Sequence, residues 1–134
     1  MRGIITTIFA GLALILSACN NTKSEKTPEG VTERFVSAFN TADFQNMYAY
    51  SSKKSHILLD NLAKQHNDTD LEAIRSRKIA IDSTTVTGMT DSTATCVCYF
   101  KIKSGAENDE WQSARQEWDL AKEGDDWKVL LVKP

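Results

Sequence analysis

Apolar and polar positions follow three different patterns along the chain. Residues 4–16 form a largely apolar run. From Val31 onward the apolar residues recur every three or four positions, which predicts amphipathic helices. After Arg77 they fall at every second position, which predicts half-buried strands. The sequence therefore divides into an N-terminal apolar segment, a helical part and a β part.

Four helices are predicted in the helical part. Thr, Ser, Asp and Asn are favoured as helix N-caps, and proline is favoured at the first helical position. On this basis the first helix begins after Thr27 and ends near Asn40, and the third closes around Gln65. The caps expected for the second and fourth helices are Thr41 or Asp43 and Thr69, which opens a capping box. The side chains expected to face the core are Val31, Phe35, Ala38, Phe39, Phe44, Met47, Tyr48, Leu58, Leu59, Leu62, Ala63, Leu71 and Ile74.

Four strands are predicted over residues 79–86, 93–103, 111–122 and 127–133, with Gly88 ending the first. The last two fit a hairpin with a two-residue turn at residues 124–125, because Leu120 then faces Val129 on the apolar side. A slip of one residue would place Lys128 opposite Leu120, so the apolar pattern selects the register. Helices followed by an antiparallel meander predict an α+β fold, with the helices on one face of a four-stranded sheet.

The N-terminal apolar run has the features of a signal peptide. Arg2 precedes it, and the run is shorter than the roughly 20 apolar residues that span a bilayer. Residues 16–19 read Leu-Ser-Ala-Cys and resemble the lipobox of bacterial lipoproteins. This resemblance implies removal of residues 1–18 and three acyl chains on Cys19, which would anchor the protein in a bilayer. Because Asn20 rather than aspartate follows, it also implies the outer membrane of a Gram-negative bacterium.

The rest of the chain divides into a tether and one domain. Residues 19–27 contain no apolar residue after the cysteine and are interpreted as a flexible tether, and residues 28–134 suffice for one domain with its own core. The formal net charge of −2 becomes slightly more negative when Arg2 is removed with the signal peptide. A mildly acidic chain without a basic face argues against nucleic acid as a partner.

Two stretches and the order of elements resemble a known family. Residues 27–44 read TPEGVTERFVSAFNTADF, and residues 123–132 read EGDDWKVLLV. Together they are similar to small NTF2-like (cystatin-like) domains, of the lipoprotein-borne kind related to lumazine-binding-like domains. The resemblance implies a cone, in which a curved sheet wraps a long helix around a pocket. Relatives include isomerases, dehydratases and proteins that bind small molecules.

His56 and His66 are the candidate general bases. They lie ten residues apart and about 80° apart around a helix, which argues against a shared site. No acid at a characteristic spacing accompanies either histidine, whereas the family's enzymes place an acid or histidine inside the cone. The sequence therefore favours a non-catalytic module, with an isomerase-like or dehydratase-like enzyme using a histidine base as the alternative.

Cys96 and Cys98 are predicted to be free, buried thiols. Alternate residues on one strand face lie about 6.6 Å apart, whereas the Cβ atoms of a disulfide lie about 3.8 Å apart. Neither this pair nor the acidic turns at residues 107–110 and 123–126 has the ligand spacing of a zinc or calcium site. No metal or cofactor is expected.

Three groups of residues are candidate binding surfaces. The candidates for a small apolar ligand inside the cone are Phe44, Tyr48, Phe100 and Trp118. The candidates for a homodimer contact on the opposite sheet face are Val97, Tyr99, Leu130 and Val132. The basic residues at 75–78 could contact anionic headgroups or a partner. The predicted function is a membrane-anchored envelope module that binds a small molecule or a protein, with a structural subunit that pairs through its sheet as a further alternative.

Overall fold

In the computed structural model, which describes residues 23–106 and 109–132, every helix precedes every strand. The helices are α1 (Pro28–Asn40), α2 (Phe44–Tyr50), a 3₁₀ turn (Lys53–Ser55), α3 (His56–Gln65) and α4 (Asp68–Arg75). The strands are β1 (Lys78–Met89), β2 (Thr93–Lys103), β3 (Gln112–Glu123) and β4 (Asp126–Leu130). The predicted signal peptide and Cys19 lie outside the described residues.

Helix α1 begins and ends at identifiable caps. The Thr27 hydroxyl accepts a hydrogen bond from the backbone N–H of Gly30 at 3.1 Å, which confirms the predicted start. At the other end Ala42 adopts a positive φ of 52°, and the N–H of Asp43 donates to the carbonyl of Ala38 at 2.9 Å. This is the backbone reversal of a Schellman motif, with alanine where glycine is usual. Asp43 then caps α2, so the second of the two predicted caps is the correct one.

Two details of α3 and α4 differ from the prediction. The cap of α4 is Asn67 rather than Thr69, and its side chain accepts from the N–H of Asp70 at 2.8 Å. Asparagine is the stronger capping residue and starts the helix earlier. Leu58 is 38% exposed, because it lies about 100° around α3 from Leu59, which is fully buried.

The sheet is antiparallel throughout, in the order β1-β2-β3-β4. Leu120 pairs with Val129, and Gly124 has a φ of 66° in the two-residue turn, which confirms the predicted hairpin register. Strand β2 has the predicted bounds, whereas β4 ends at Leu130, before the predicted end. Strand β1 continues past Gly88, because a register shift between Val86 and Gly88 lets the pairing resume.

The core lies between α1 and the concave face of the sheet. Phe35 and Phe39 meet the ring of Trp118 edge-on, with centroid separations of 5.0 and 5.2 Å. Cys96 and Cys98 lie on the same face as fully buried free thiols, as predicted. The hydroxyl of Thr84 donates to the Cys98 sulfur at 3.6 Å. Helix α1 therefore occupies the interior of the curved sheet.

The side chains on the opposite face of the sheet are less exposed to solvent than expected. Val97 is only 4% exposed, although it was predicted to lie on an outer surface. It sits on the central strand β2, between Thr85 and Glu117 of the neighbouring strands, which leaves little of its side chain accessible. Tyr99 is 46% exposed, and Leu130 and Val132 are half-buried. A charge at Val97 would therefore test the stability of the domain rather than a dimer contact.

The two glycines of the sheet give a matched test of this backbone geometry. At both Gly124 and Gly88 an added methyl would meet no atom within 4 Å, but only Gly124 has a positive φ. We expect Gly124→Ala to lower the free energy of unfolding by about 1 kcal/mol, since an L-residue is strained there. Gly88→Ala should leave it unchanged or raise it. Urea unfolding measures both, and equal shifts would contradict the turn geometry.

Candidate functional site

A small cavity lies among the helices, at the C-terminal end of α1. Its volume is about 170 Å³. The side chains around it are Phe39, Asn40, Ala42, Phe44, Met47, Leu62, His66, Leu71, Ile74 and Arg77. Every one of these belongs to the helical part of the chain or to the loop that leads into β1. The cavity is a partly open, largely apolar space with a few polar groups at its edge, and small molecules bind in spaces of this kind.

The inner wall of the cavity is apolar and firmly packed. Met47 and Leu71 are buried, and Phe39, Phe44 and Leu62 pack against the core. Ala42 is also buried, and its positive φ belongs to the turn that redirects the chain from α1 into α2. Helix α2 begins directly after this turn, and its residues Phe44 and Met47 line the cavity.

Asn40 forms the polar part of the wall, and its amide is already engaged. Its Nδ2 donates to the carbonyl of Val36 at 2.8 Å and to Oε1 of Gln116 at 3.2 Å. Nε2 of Gln116 donates back to Oδ1 of Asn40 at 3.2 Å. Nε1 of Trp118 donates to the same Gln116 oxygen at 3.2 Å. These bonds hold the end of α1 against β3 and keep the Asn40 amide fixed.

This amide pair was not predicted. Gln116, Trp118 and Leu120 are alternate residues of β3, and alternate residues of a strand lie on the same face. The position of Gln116 on the inner face could therefore have been predicted. Its partner Asn40 lies 76 residues earlier, and no local pattern connects the two. The sequence did indicate that Gln116 is a polar side chain on a predicted apolar face. A polar side chain requires a hydrogen-bond partner when it is buried.

Two side chains that can carry positive charge stand at the cavity's edge. His66 follows the last residue of α3 and is exposed. Arg77 is exposed just before β1, and its backbone N–H donates to the carbonyl of Ile74 at 3.1 Å. No aspartate or glutamate is among the described residues that line the cavity. The lining therefore combines an apolar interior with a basic edge.

The structure places the four predicted ligand residues in different surroundings. Phe44 lines the cavity. Phe100 is almost completely buried in a second core cluster with Val36 and Cys98, so its ring fills the interior. Trp118 packs against the rings of α1, and Tyr48 contacts α3. Their role in ligand binding remains a prediction, and Phe44 is the member of the set for which the cavity supplies a place.

His56 lies apart from the cavity, in contact with Tyr48. Its Nε2 donates to the backbone carbonyl of Tyr48 at 3.0 Å, and the two rings meet edge-on at 4.9 Å. The Tyr48 hydroxyl donates to the carboxylate of Asp60, which lies one helical turn after His56. Asp60 was not among the predicted site residues. The cluster joins α2 to α3 at the surface, and the two histidines do not share a site.

Larger clefts on the surface are open and mixed in polarity. A groove of about 540 Å³ runs along α1 and is lined by both charged and apolar residues, among them Glu33, Asp43 and Ile81. Within residues 23–106 and 109–132, no three His, Cys, Asp or Glu side chains are grouped as metal ligands would be. In the same ranges no helix is both long and apolar enough to cross a membrane.

No protein-family model and no curated protein sequence matches the chain, but solved structures do. A candidate ketosteroid isomerase from Shewanella frigidimarina is 13% identical, with a TM-score of 0.51 over 77% of this chain and 90% of its own. A SEC-C motif containing protein from Rhodopseudomonas palustris is 15% identical, with a TM-score of 0.51 over 84% of this chain and 81% of its own. A candidate dehydratase of the NTF2-like family from Streptomyces avermitilis is 16% identical, with a TM-score of 0.48 over 74% and 85%.

At these identities the likeness concerns the fold. The similarity to the Shewanella protein covers most of both chains, and it confirms the predicted α+β cone fold. The helices, the curved antiparallel sheet and the helix enclosed by it all correspond to that expectation.

The buried thiols predict a pH dependence of stability. Burial raises the pKa of the Cys96 and Cys98 thiols above the ordinary value of 9.0. Unfolding exposes them, so above about pH 9 the unfolded chain has lost thiol protons that the folded chain retains, and the free energy of unfolding falls as the pH rises. We expect urea unfolding of Cys98→Ala to show a shallower decline than the unsubstituted chain between about pH 8 and pH 10. Parallel declines would contradict this origin.

Proposed function

We propose that this protein is a lipid-anchored protein of the bacterial cell envelope whose cone-shaped domain binds a small, largely apolar molecule without transforming it. The observation that carries the proposal is the partly open, largely apolar cavity beside α1, whose wall is held in place by the Asn40–Gln116 amide pair. A preformed space with few polar groups suits binding, because little ordering is needed when the ligand enters.

The residues around the cavity favour binding over catalysis. A general base must be positioned against the atom that loses a proton, and another group usually orients it. His66 is exposed at the cavity's edge, with no hydrogen-bond partner among the described residues. The Asn40 amide is engaged with Gln116 and Val36. An isomerase-like or dehydratase-like enzyme is the second candidate, favoured by the presence of His66 in the cavity lining and by the Shewanella protein's fold.

The proposed anchor would hold the domain close to the bilayer. Cys19 and Lys23 are four residues apart, and an extended chain spans about 3.3–3.6 Å per residue. From Lys23 onward the segment contacts the domain: Arg34 donates to the carbonyl of Lys23 at 2.7 Å. The side chain of Lys26 pairs with Asp126 at 3.2 Å. The free part of the tether would then be only a few residues long.

Membrane fractionation tests the anchor. We expect Cys19→Ser to release the protein from membranes, because the acyl chains would have no attachment site. Asn20→Asp is the matched control, which keeps the cysteine and should move the protein from the outer to the inner membrane. Retention of the Cys19→Ser protein on membranes, with normal processing, would contradict the proposal.

Native mass spectrometry tests ligand binding. The acyl-free domain, from Asn20 onward, is purified from the envelope of its own host. We expect a reproducible small-molecule adduct that disappears in Ile74→Trp, where the larger ring fills the cavity. Ile57→Trp is the control, because Ile57 is 71% exposed on α3 and does not line the cavity. If the unsubstituted domain shows only the mass of the protein without a bound molecule, or if the adduct is still present in Ile74→Trp, the assignment of this cavity is overturned. The same spectrum reports whether the domain is a dimer.

A further inference from the structure

We propose that the ligand of this cavity is a compact carboxylate, an apolar body of about ten non-hydrogen atoms or fewer with one negatively charged end. This inference rests on the proposed binding function and names its ligand class. The cavity's volume of about 170 Å³ sets the size of the apolar body. An engineered apolar cavity of roughly 150 Å³ accepts benzene, so this space suits one aromatic ring or a short branched chain.

The charge of the ligand follows from the charge of the lining. Arg77 brings a positive charge to the cavity, and no aspartate or glutamate within the described lining balances it. Among the described residues Arg77 makes no ion pair within 4 Å. A guanidinium presents paired N–H donors that match the two oxygens of a carboxylate. Arg77 can therefore receive a carboxylate whose apolar body lies in the cavity.

The surroundings of Arg77 add to this preference. Arg75 and Lys78 lie beside it in sequence, and together they make the potential at this edge more positive. Two acids, Asp109 and Glu110, border a separate open groove that Arg77 also borders. Both are exposed, and contacts between exposed charges contribute little.

The backbone holds Arg77 at the cavity's edge. Its N–H is bonded to the carbonyl of Ile74, whose side chain lines the cavity. The Ser76 hydroxyl donates to the carbonyl of Ala73 at 2.7 Å. These bonds close the last turn of α4, so the base of the Arg77 side chain is placed before any ligand arrives. The guanidinium needs only to select a rotamer.

An isosteric pair of ligands isolates the contribution of the charge. We expect the full chain, as processed by its host, to bind para-fluorobenzoate at least about tenfold more tightly than para-fluorobenzamide, measured by fluorine NMR titration. The two molecules have the same shape and differ in the charge of one group. In Arg77→Gln the two affinities should agree within about twofold, and Arg77→Lys should retain part of the preference. Arg75→Gln is the matched control and should keep the full preference, because Arg75 borders a neighbouring groove rather than this cavity.

Each outcome separates the ligand class from the binding function. Equal affinities of the unsubstituted chain for the two ligands would overturn the carboxylate class and leave a small-molecule site intact. A benzoate preference that survives Arg77→Gln would overturn the role of Arg77. Failure of both ligands to bind would overturn the ligand class. If the native mass spectrum also shows no bound molecule, the proposed function is overturned as well.

Discussion

The packing of Phe35 and Phe39 against the ring of Trp118 is the contact on which the rest of this domain depends. It fixes α1 inside the curve of the sheet, where the apolar faces of both can be buried. The indole N–H needs a hydrogen-bond acceptor in these surroundings, and Gln116 supplies it. Gln116 in turn forms hydrogen bonds with Asn40. The aromatic packing and this series of hydrogen bonds together set the position of α1 along β3.

That position determines where the cavity forms. Asn40 is the last residue of α1, and the chain then reverses through Ala42, whose backbone has a conformation that alanine seldom adopts. The surrounding contacts must compensate for that strain, and here the buried Ala42 methyl and the Asp43–Ala38 hydrogen bond do so. Helix α2 consequently leaves at an angle, and α3 and α4 close the remaining side.

The fold could be predicted because its determinants are local or periodic, whereas the site depends on distant contacts. The cap at Thr27, the bounds of β2 and the register between Leu120 and Val129 all follow from spacing and turn chemistry. The Asn40–Gln116 pair joins residues 76 apart, and the burial of Val97 depends on side chains of neighbouring strands. A basic stretch at residues 75–78 is visible in the sequence, but its position beside a cavity appears only when four helices are packed together.

The cavity's lining has a consequence for how such a protein can diversify. All the described lining residues fall between residues 39 and 77, whereas the strand pairing is encoded from Lys78 onward. A recombination event near the α4–β1 junction would exchange one set of lining residues for another and leave the sheet as it was. Such an exchange would have to preserve the contacts between the two parts of the chain, among them the Asn40–Gln116 pair and the packing of Phe39 against Trp118. Genes of this kind can therefore change the lining of the cavity while the pairing of the four strands is kept.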